Sequence, residues 1–429
     1  MDQFIVTGQA PLNGTVQPSG NKNAAFPVLA AALLTDEPIV VHNVPEIEDV
    51  QTFRELLQQL GVSIERLAPG SFRLQTKDID ISQPDSKLFG QIRGSLVLTG
   101  ALLARAGHAT LPAPGGDVIG RRRIDTHILG LQTLGATISY GRALNLRAAR
   151  LKGADIILDE ASVTGTENII LAAALAKGTT IINNAACEPH VQDLCHFLNI
   201  MGANITGIGS NILTIEGVNQ LSGGEYTLGP DFMEVGSYIG LGAVTDGELT
   251  IKNAGVPHLR MIHMVFERMG VNLIIDGDNV TIPPQSELLI EPDLGGAIPE
   301  IKDRPWPGFP PDLMSIAIVL ATQAQGSVLF HEWMYESRLF FVDKLIRMGA
   351  RIILCDPHRC LVQGPTLLHG EHVESPDIRA GMALLVAAMC ARGESIISGA
   401  RQIDRGYERI EAKLQKLGAK IQRVTSQDD

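Results

Sequence analysis

One phrase recurs six times along the chain: a leucine or methionine, a glycine, a small residue, one variable residue and an aliphatic. It reads Leu60-Gly61-Val62-Ser63-Ile64, Leu134-Gly135-Ala136-Thr137-Ile138, Met201-Gly202-Ala203-Asn204-Ile205, Met269-Gly270-Val271-Asn272-Leu273, Met348-Gly349-Ala350-Arg351-Ile352 and Leu417-Gly418-Ala419-Lys420-Ile421. The period is about 70 residues, and an internal repeat dictates architecture more firmly than local propensity does. Solenoid repeats usually run about 20 to 50 residues. No capping copy is evident either, so a closed arrangement is favoured over a stack.

Each copy has the same grammar. An Ala/Leu-rich helix comes first, predicted over 23–34, 92–106, 166–177, 234–245, 312–323 and 378–392. A β-branched strand follows, such as Ile39-Val40-Val41 or Thr180-Ile181-Ile182, and then a polar turn. A second, amphipathic helix stops at the repeated glycine, and the aliphatic after it opens another strand. The first helices are apolar nearly all round and should be buried; the second keep a polar face and should lie nearer solvent. At 429 residues the chain exceeds one typical core. Three units per domain then give two similar α/β domains.

Composition narrows the function. A net charge of −12, from 35 basic and 47 acidic residues, argues against nucleic acid or an anionic membrane as the main partner. The longest uncharged apolar stretch, Ala380 to Ala391, falls short of the roughly 20 residues a membrane span needs. The opening MDQFIVTGQAPL has neither the basic start nor the apolar run of a secretory leader. Cys187, Cys195, Cys355, Cys360 and Cys390 follow no disulfide or metal-ligand spacing, so reduced thiols in a cytoplasmic protein are expected.

The repeats make the polar exceptions legible. Charged residues stand where each buried helix begins and in the turn before each second helix. Acids there are stabilised by the helix dipole, so Asp49, Asp125, Glu188 and Asp404 read first as caps or local pairs. Six cations, Lys22, Arg93, Arg122, Arg338, Arg379 and Arg405, hold equivalent loop ends in an acidic protein, which suggests a cleft for a multiply charged anion. Asp312 follows the stiff segment Gly308-Phe309-Pro310-Pro311 and is a candidate general base, with a helix N-cap as the alternative. In the second copy, LPAPGGDVIGRRRIDTHILG spans Leu111 to Gly130: paired glycines, then Asp117, then three arginines. The glycines allow a mobile loop.

With these residues in view, the chain from about Phe4 to Val424 resembles the UDP-N-acetylglucosamine 1-carboxyvinyltransferases, a family of enolpyruvyl transferases. The motifs are Ser19-Gly20-Asn21-Lys22-Asn23-Ala24-Ala25, Pro114-Gly115-Gly116-Asp117-Val118-Ile119-Gly120, Phe309-Pro310-Pro311-Asp312, Glu336-Ser337-Arg338 and Ile403-Asp404-Arg405-Gly406-Tyr407-Glu408-Arg409-Ile410. The resemblance implies two domains, each of three pseudo-symmetric βαβαββ units around buried helices. The first would span 22–230 and carry the catalytic loop 111–130; the second would take 231–429 plus residues 1–21, whose strand joins it. It implies transfer of the enolpyruvyl group of phosphoenolpyruvate to the 3-hydroxyl of UDP-N-acetylglucosamine with release of phosphate, the first committed step of peptidoglycan precursor synthesis. No metal or organic cofactor is called for.

The same resemblance implies residue roles. Lys22, Asn23, Arg122, Arg379 and Arg405 would hold phosphoenolpyruvate. Asn23, Arg93, the segment Arg122, Arg123, Ile124, Asp125 and Thr126, then Glu160, Ser162 and Val163, and finally Asp312 and Met334 would contact the sugar nucleotide. Lys22 and Arg405 would also serve the chemistry, Asp312 would take the hydroxyl proton, and Asp117 would be the general acid. Position 117 is often cysteine in the family. An aspartate there implies insensitivity to fosfomycin, an epoxide that alkylates that thiol. Glu160, Phe232, Arg123 and Pro311 also depart from the common pattern. They keep open a related transferase acting on another nucleotide, or a non-catalytic sugar-nucleotide binding protein.

Overall fold

The computed structural model describes residues 2–81, 84–116, 119–120, 122–141, 143–285 and 287–425. Among them two compact units separate. One gathers residues 20–116 and 122–229; the other gathers 2–19, 119–120 and 230–425. No described helix is long and apolar enough to cross a membrane.

In the unit holding copies one to three, copy three shows the βαβαββ pattern in full. Strand Asp155–Ile157 leads to the buried helix Val163–Ala173, strand Thr179–Asn183, helix Pro189–Ile200 and the hairpin Asn204–Thr206 with Ile212–Glu216. The Thr179–Asn183 strand pairs in parallel with Asp155–Ile157 and antiparallel with Ile212–Glu216, which places Ile182 opposite both Ile156 and Leu213. Copy one takes its first strand from the unit's far end, Gly224–Thr227, which runs parallel to Ile39–His42. Copy two forms a three-stranded antiparallel sheet from His108–Pro112, Thr137–Tyr140 and Ala143–Arg147.

The other unit repeats the plan. Copy five is complete, with Glu300–Lys302 parallel to Gly326–His331. Copy four takes its first strand from Gly14–Val16, parallel to Leu249–Ile251. In copy six, Asp2–Thr7 lies antiparallel between Glu394–Ser398 and Lys420–Thr425. The three-repeat α/β architecture around buried helices is the one anticipated.

The six repeated glycines explain the period physically. All lie in the left-handed region, with φ between +86° and +102°. In every copy the glycine N–H donates to the carbonyl three residues back and the next N–H to the carbonyl five back, as in Gly202 to Asn199 at 3.1 Å and Ala203 to Leu198 at 2.9 Å. This helix ending satisfies carbonyls that would otherwise be orphaned and turns the chain into its next strand, and only glycine enters it without strain.

The first helices fill the cores. Every residue of Phe232–Ala243, of Met314–Thr322 and of Ile378–Met389 is buried. Burying a helix on all sides exposes no solvated face for its start, which favours a built-in acceptor there. Asn21, Ser162, Asp231 and Asp377 supply one, each accepting from backbone N–H groups of its own helix. Lys22, Arg93, Arg338 and Arg379 stand beside such starts.

Candidate active site

In the unit of copies four to six, Asp312 sits in the tight turn Pro311–Leu313 that opens the Met314–Gln323 helix. It is not a cap. Its Oδ1 accepts from Arg338 Nη2 and its Oδ2 from Arg379 Nε, both at 2.9 Å. The two arginine side chains are 5% and 8% exposed and the aspartate 24%. Burial works against each guanidinium charge, yet both pKa values are raised. Asp312, Glu332 and Asp377 hold Arg338 charged; Tyr407, Asp312 and Asp231 do so for Arg379. The Arg379 guanidinium also lies over the Tyr407 ring, 5.4 Å from its centre.

The other expected residues of this unit surround different anchors. Met334 is half-buried, and its backbone N–H donates to Asp303 Oδ2 at 3.1 Å. Behind it, burial pushes the Glu332 carboxyl well above the usual range, with Arg338 opposing. Arg405 ends the short helix Ala400–Asp404, and its Nη1 donates to Gln402 Oε1 at 3.1 Å. Asp404 is a local pair, accepting from Arg423 at 2.7 and 2.8 Å. Ile119 and Gly120 belong to this unit: the Ile119 carbonyl accepts from Ser337 N–H at 3.3 Å, and a Cβ at Gly120 would fall 2.6 Å from Glu336 Oε2. Asp117, the proposed acid just before them, lies outside the described residues, as does Arg121.

In the unit of copies one to three, Lys22 is the first residue of its helix, is 8% exposed, and pairs with Asp49 Oδ2 at 2.6 Å. Asn23 follows, its N–H held by the Asn21 cap at 2.9 Å. Arg93 Nη2 donates to the carbonyls of Arg122 and Arg123 at 2.8 and 3.0 Å, so this side chain shapes the backbone of the arginine segment. Gly116 comes so close that a Cβ would meet Arg93 Cβ at 2.8 Å and Arg122 Nη1 at 3.1 Å, which only glycine tolerates. Exposed Arg123 pairs with Asp125 at 3.0 Å and Asp159 at 3.2 Å, and Thr126 Oγ1 donates to Asp159 Oδ1 at 2.7 Å. Ile124 is the residue before the Asp125–Thr133 helix. Glu160 is exposed, and its carbonyl accepts from Ser162 N–H; Ser162 then caps the helix that Val163 begins.

Each unit thus gathers its own share. Lys22, Asn23, Arg93, the 122–126 segment and the 160–163 segment belong to one; Asp312, Met334, Arg379 and Arg405 belong to the other, where Asp312 and Arg379 meet. Three linking residues were not singled out in the sequence: Asp159, which ties Arg123 to Thr126, and the buried pair His127 and Asn168. No repeat position marks Asp159 or Asn168. His127 had a signal, since a polar ring inside the first turn of a packed helix needs partners. Among the described residues no cluster of His, Cys, Asp and Glu could hold a metal ion.

The chain as a whole is similar to known proteins. The model of the EPSP synthase (3-phosphoshikimate 1-carboxyvinyltransferase) family matches residues 6–414. The UDP-N-acetylglucosamine 1-carboxyvinyltransferase of Treponema denticola is 54% identical over 98% of this chain and 99% of its own. That of Bradyrhizobium diazoefficiens is 54% identical over 98% of each, and that of Borreliella burgdorferi 52% over the whole of both. Among solved structures, the enolpyruvyl transferase NikO from Streptomyces tendae superposes with a TM-score of 0.89 at 26% identity, covering 99% of each chain. EPSP synthase from Acinetobacter baumannii, at 19% identity and a TM-score of 0.75 over 99% of this chain, shares the fold. The chain belongs to the UDP-N-acetylglucosamine 1-carboxyvinyltransferase family of enolpyruvyl transferases.

Proposed function

We propose that the chain transfers the enolpyruvyl group of phosphoenolpyruvate to the 3-hydroxyl of UDP-N-acetylglucosamine and releases phosphate. Identity above 50% across the full length of relatives named for that acceptor carries the assignment, whereas the enolpyruvyl transferase NikO, similar in fold, stands at only 26%. The product would enter peptidoglycan precursor synthesis. Five free thiols support a reducing, cytoplasmic setting.

The residues supply the parts such an addition and elimination needs. A proton must leave the attacking hydroxyl and another must reach the methylene carbon of the enol; in the elimination that carbon gives up a proton as phosphate departs with its charge neutralised. Asp312 is the base in this reading, and Asp117 the acid that protonates the enol carbon or assists phosphate release. Lys22, Arg122 and Arg405 hold the phosphate and carboxylate of phosphoenolpyruvate, with Asn23 and Arg379 beside them. Arg93, the segment Arg122 to Thr126, Glu160, Ser162, Val163 and Met334 contact the sugar nucleotide.

Phosphate release from phosphoenolpyruvate is the test, with UDP-N-acetylglucosamine, UMP and shikimate 3-phosphate as rival acceptors. Turnover with the sugar nucleotide is expected. Turnover with UMP alone would move the chain to a different acceptor.

A further inference from the structure

His127 lies one residue beyond the segment assigned to the sugar nucleotide, is 4% exposed, and makes two side-chain hydrogen bonds that decide its chemical form. Asn168 fixes the first. Its Oδ1 accepts from Gly100 N–H at 2.6 Å and its Nδ2 donates to the Leu96 carbonyl at 2.7 Å, so the amide cannot be turned over. The second Nδ2 hydrogen points to His127 Nδ1, also at 2.7 Å. Nδ1 must therefore be the acceptor, and the ring proton resides on Nε2, which donates to Thr164 Oγ1 at 3.1 Å. Burial, reinforced by the Arg93 charge, keeps the ring neutral by lowering its pKa to about 3.

Thr164 directly follows Glu160 to Val163, the second stretch assigned to the sugar nucleotide. Besides the His127 bond, Asp159 joins the two stretches, through Thr126 at 2.7 Å and through exposed Arg123 at 3.2 Å. The His127 link is the one built on a buried ring and anchored at Asn168 to the Leu96 carbonyl and to Gly100 N–H of the helix Leu98–Ala106. We propose that His127, as its neutral Nε2–H tautomer, is a positioning residue that fixes residues 160–164 against 122–126 and thereby sets the affinity for the sugar-nucleotide acceptor. The proposal rests on the acceptor reading above. Two loops held in their binding geometry before the ligand arrives lose less freedom on binding.

Steady-state kinetics on Thr164→Val, His127→Asn and His127→Gln test this, together with titration of UDP-N-acetylglucosamine in the absence of phosphoenolpyruvate. Thr164→Val removes the link with little change in shape. It should raise KM and the dissociation constant for UDP-N-acetylglucosamine about threefold to tenfold, the worth of one neutral hydrogen bond. The turnover number should stay within about twofold and KM for phosphoenolpyruvate should not move, since the side chain touches no reacting atom. His127→Asn keeps the acceptor for Asn168 but is too short to reach Thr164, and should behave like Thr164→Val. His127→Gln carries a donor at the reach of Nε2 and should restore acceptor affinity. Unmoved acceptor affinity in Thr164→Val, loss of turnover at unchanged affinity, or equal behaviour of the Asn and Gln variants would each overturn the role. Should a His127 variant fail to fold, Thr164→Val alone decides. A wild type inactive with UDP-N-acetylglucosamine overturns the reaction and this role together; an active wild type with unmoved variants overturns this role alone.

Discussion

Replacing Asp312 by asparagine separates two jobs that one carboxylate performs. It accepts 2.9 Å bonds from Arg338 and Arg379, both more than nine-tenths buried. Removing one partner of a buried ion pair costs roughly 3–5 kcal/mol when the other charge is left uncompensated. Here Asp312 is 24% exposed, and Asp377 remains near Arg338 and Asp231 near Arg379. Screening by solvent and those acids should reduce the loss to about 2–3 kcal/mol. Turnover should fall much further, about 10²–10⁴-fold, the usual worth of a positioned general base. The assays are phosphate release at saturating substrates and urea unfolding. Adding Arg338→Met removes one stranded charge, and should recover about 1 kcal/mol or more of stability with no recovery of turnover. A single variant that keeps turnover within tenfold of wild type, or a double variant that regains activity along with stability, would show that Asp312 serves the ion pair and not the proton transfer.

The purified enzyme should resist fosfomycin, because Asp117 offers no thiolate; rapid, time-dependent inactivation would refute this. Asp117→Asn should lower turnover far more than phosphoenolpyruvate affinity if the side chain donates a proton. Gly61 and Gly135 occupy the same helix ending with φ of +91° and +98°, but a Cβ meets Asp78 O at 2.5 Å in the first and nothing in the second. Gly135→Ala should cost about 1 kcal/mol, the left-handed penalty less the gain from a stiffer unfolded chain, and Gly61→Ala at least about 1 kcal/mol more, read from urea midpoints. Folded His127 has its pKa lowered to about 3 from 6.5, so between these values the unfolded chain binds the extra proton. The stability this group contributes is therefore full above pH 6.5 and declines by about 1.4 kcal/mol per unit as the pH falls toward 3. His127→Gln should lack that part of the acid slope; identical slopes would mean the ring is not buried neutral.

Much of the fold was legible because its grammar is local. A glycine helix stop, an apolar helix and a β-branched strand each leave a mark within a few residues, and six copies make each mark count. What the sequence could not display is pairing across copies. The borrowed strands Gly14–Val16 and Gly224–Thr227 are short and weakly patterned, and only hydrogen bonding to distant copies defines them. The site divides the same way. Lys22, Asp312 and Arg405 stood out by repeat position and motif. Yet the clamp of Arg338 and Arg379 on one carboxylate depends on side chains 26 and 67 residues away from it. Asp159, Asn168 and the tautomer of His127 were invisible for the same reason.

Repetition also explains why so many cations looked alike in the sequence and differ in the structure. Lys22, Arg93, Arg338 and Arg379 each stand in the first two residues of a helix, but their neighbours differ. Lys22 meets an acid from the adjacent turn, Arg93 spends its donors on two backbone carbonyls, and Arg338 and Arg379 converge on Asp312. A cation satisfied by backbone organises the loop it touches, whereas one satisfied by a carboxylate can exchange that partner for a substrate anion of similar shape. On this ground Lys22 and Arg379 are the better candidates for phosphoenolpyruvate and Arg93 the better candidate for shaping the nucleotide segment.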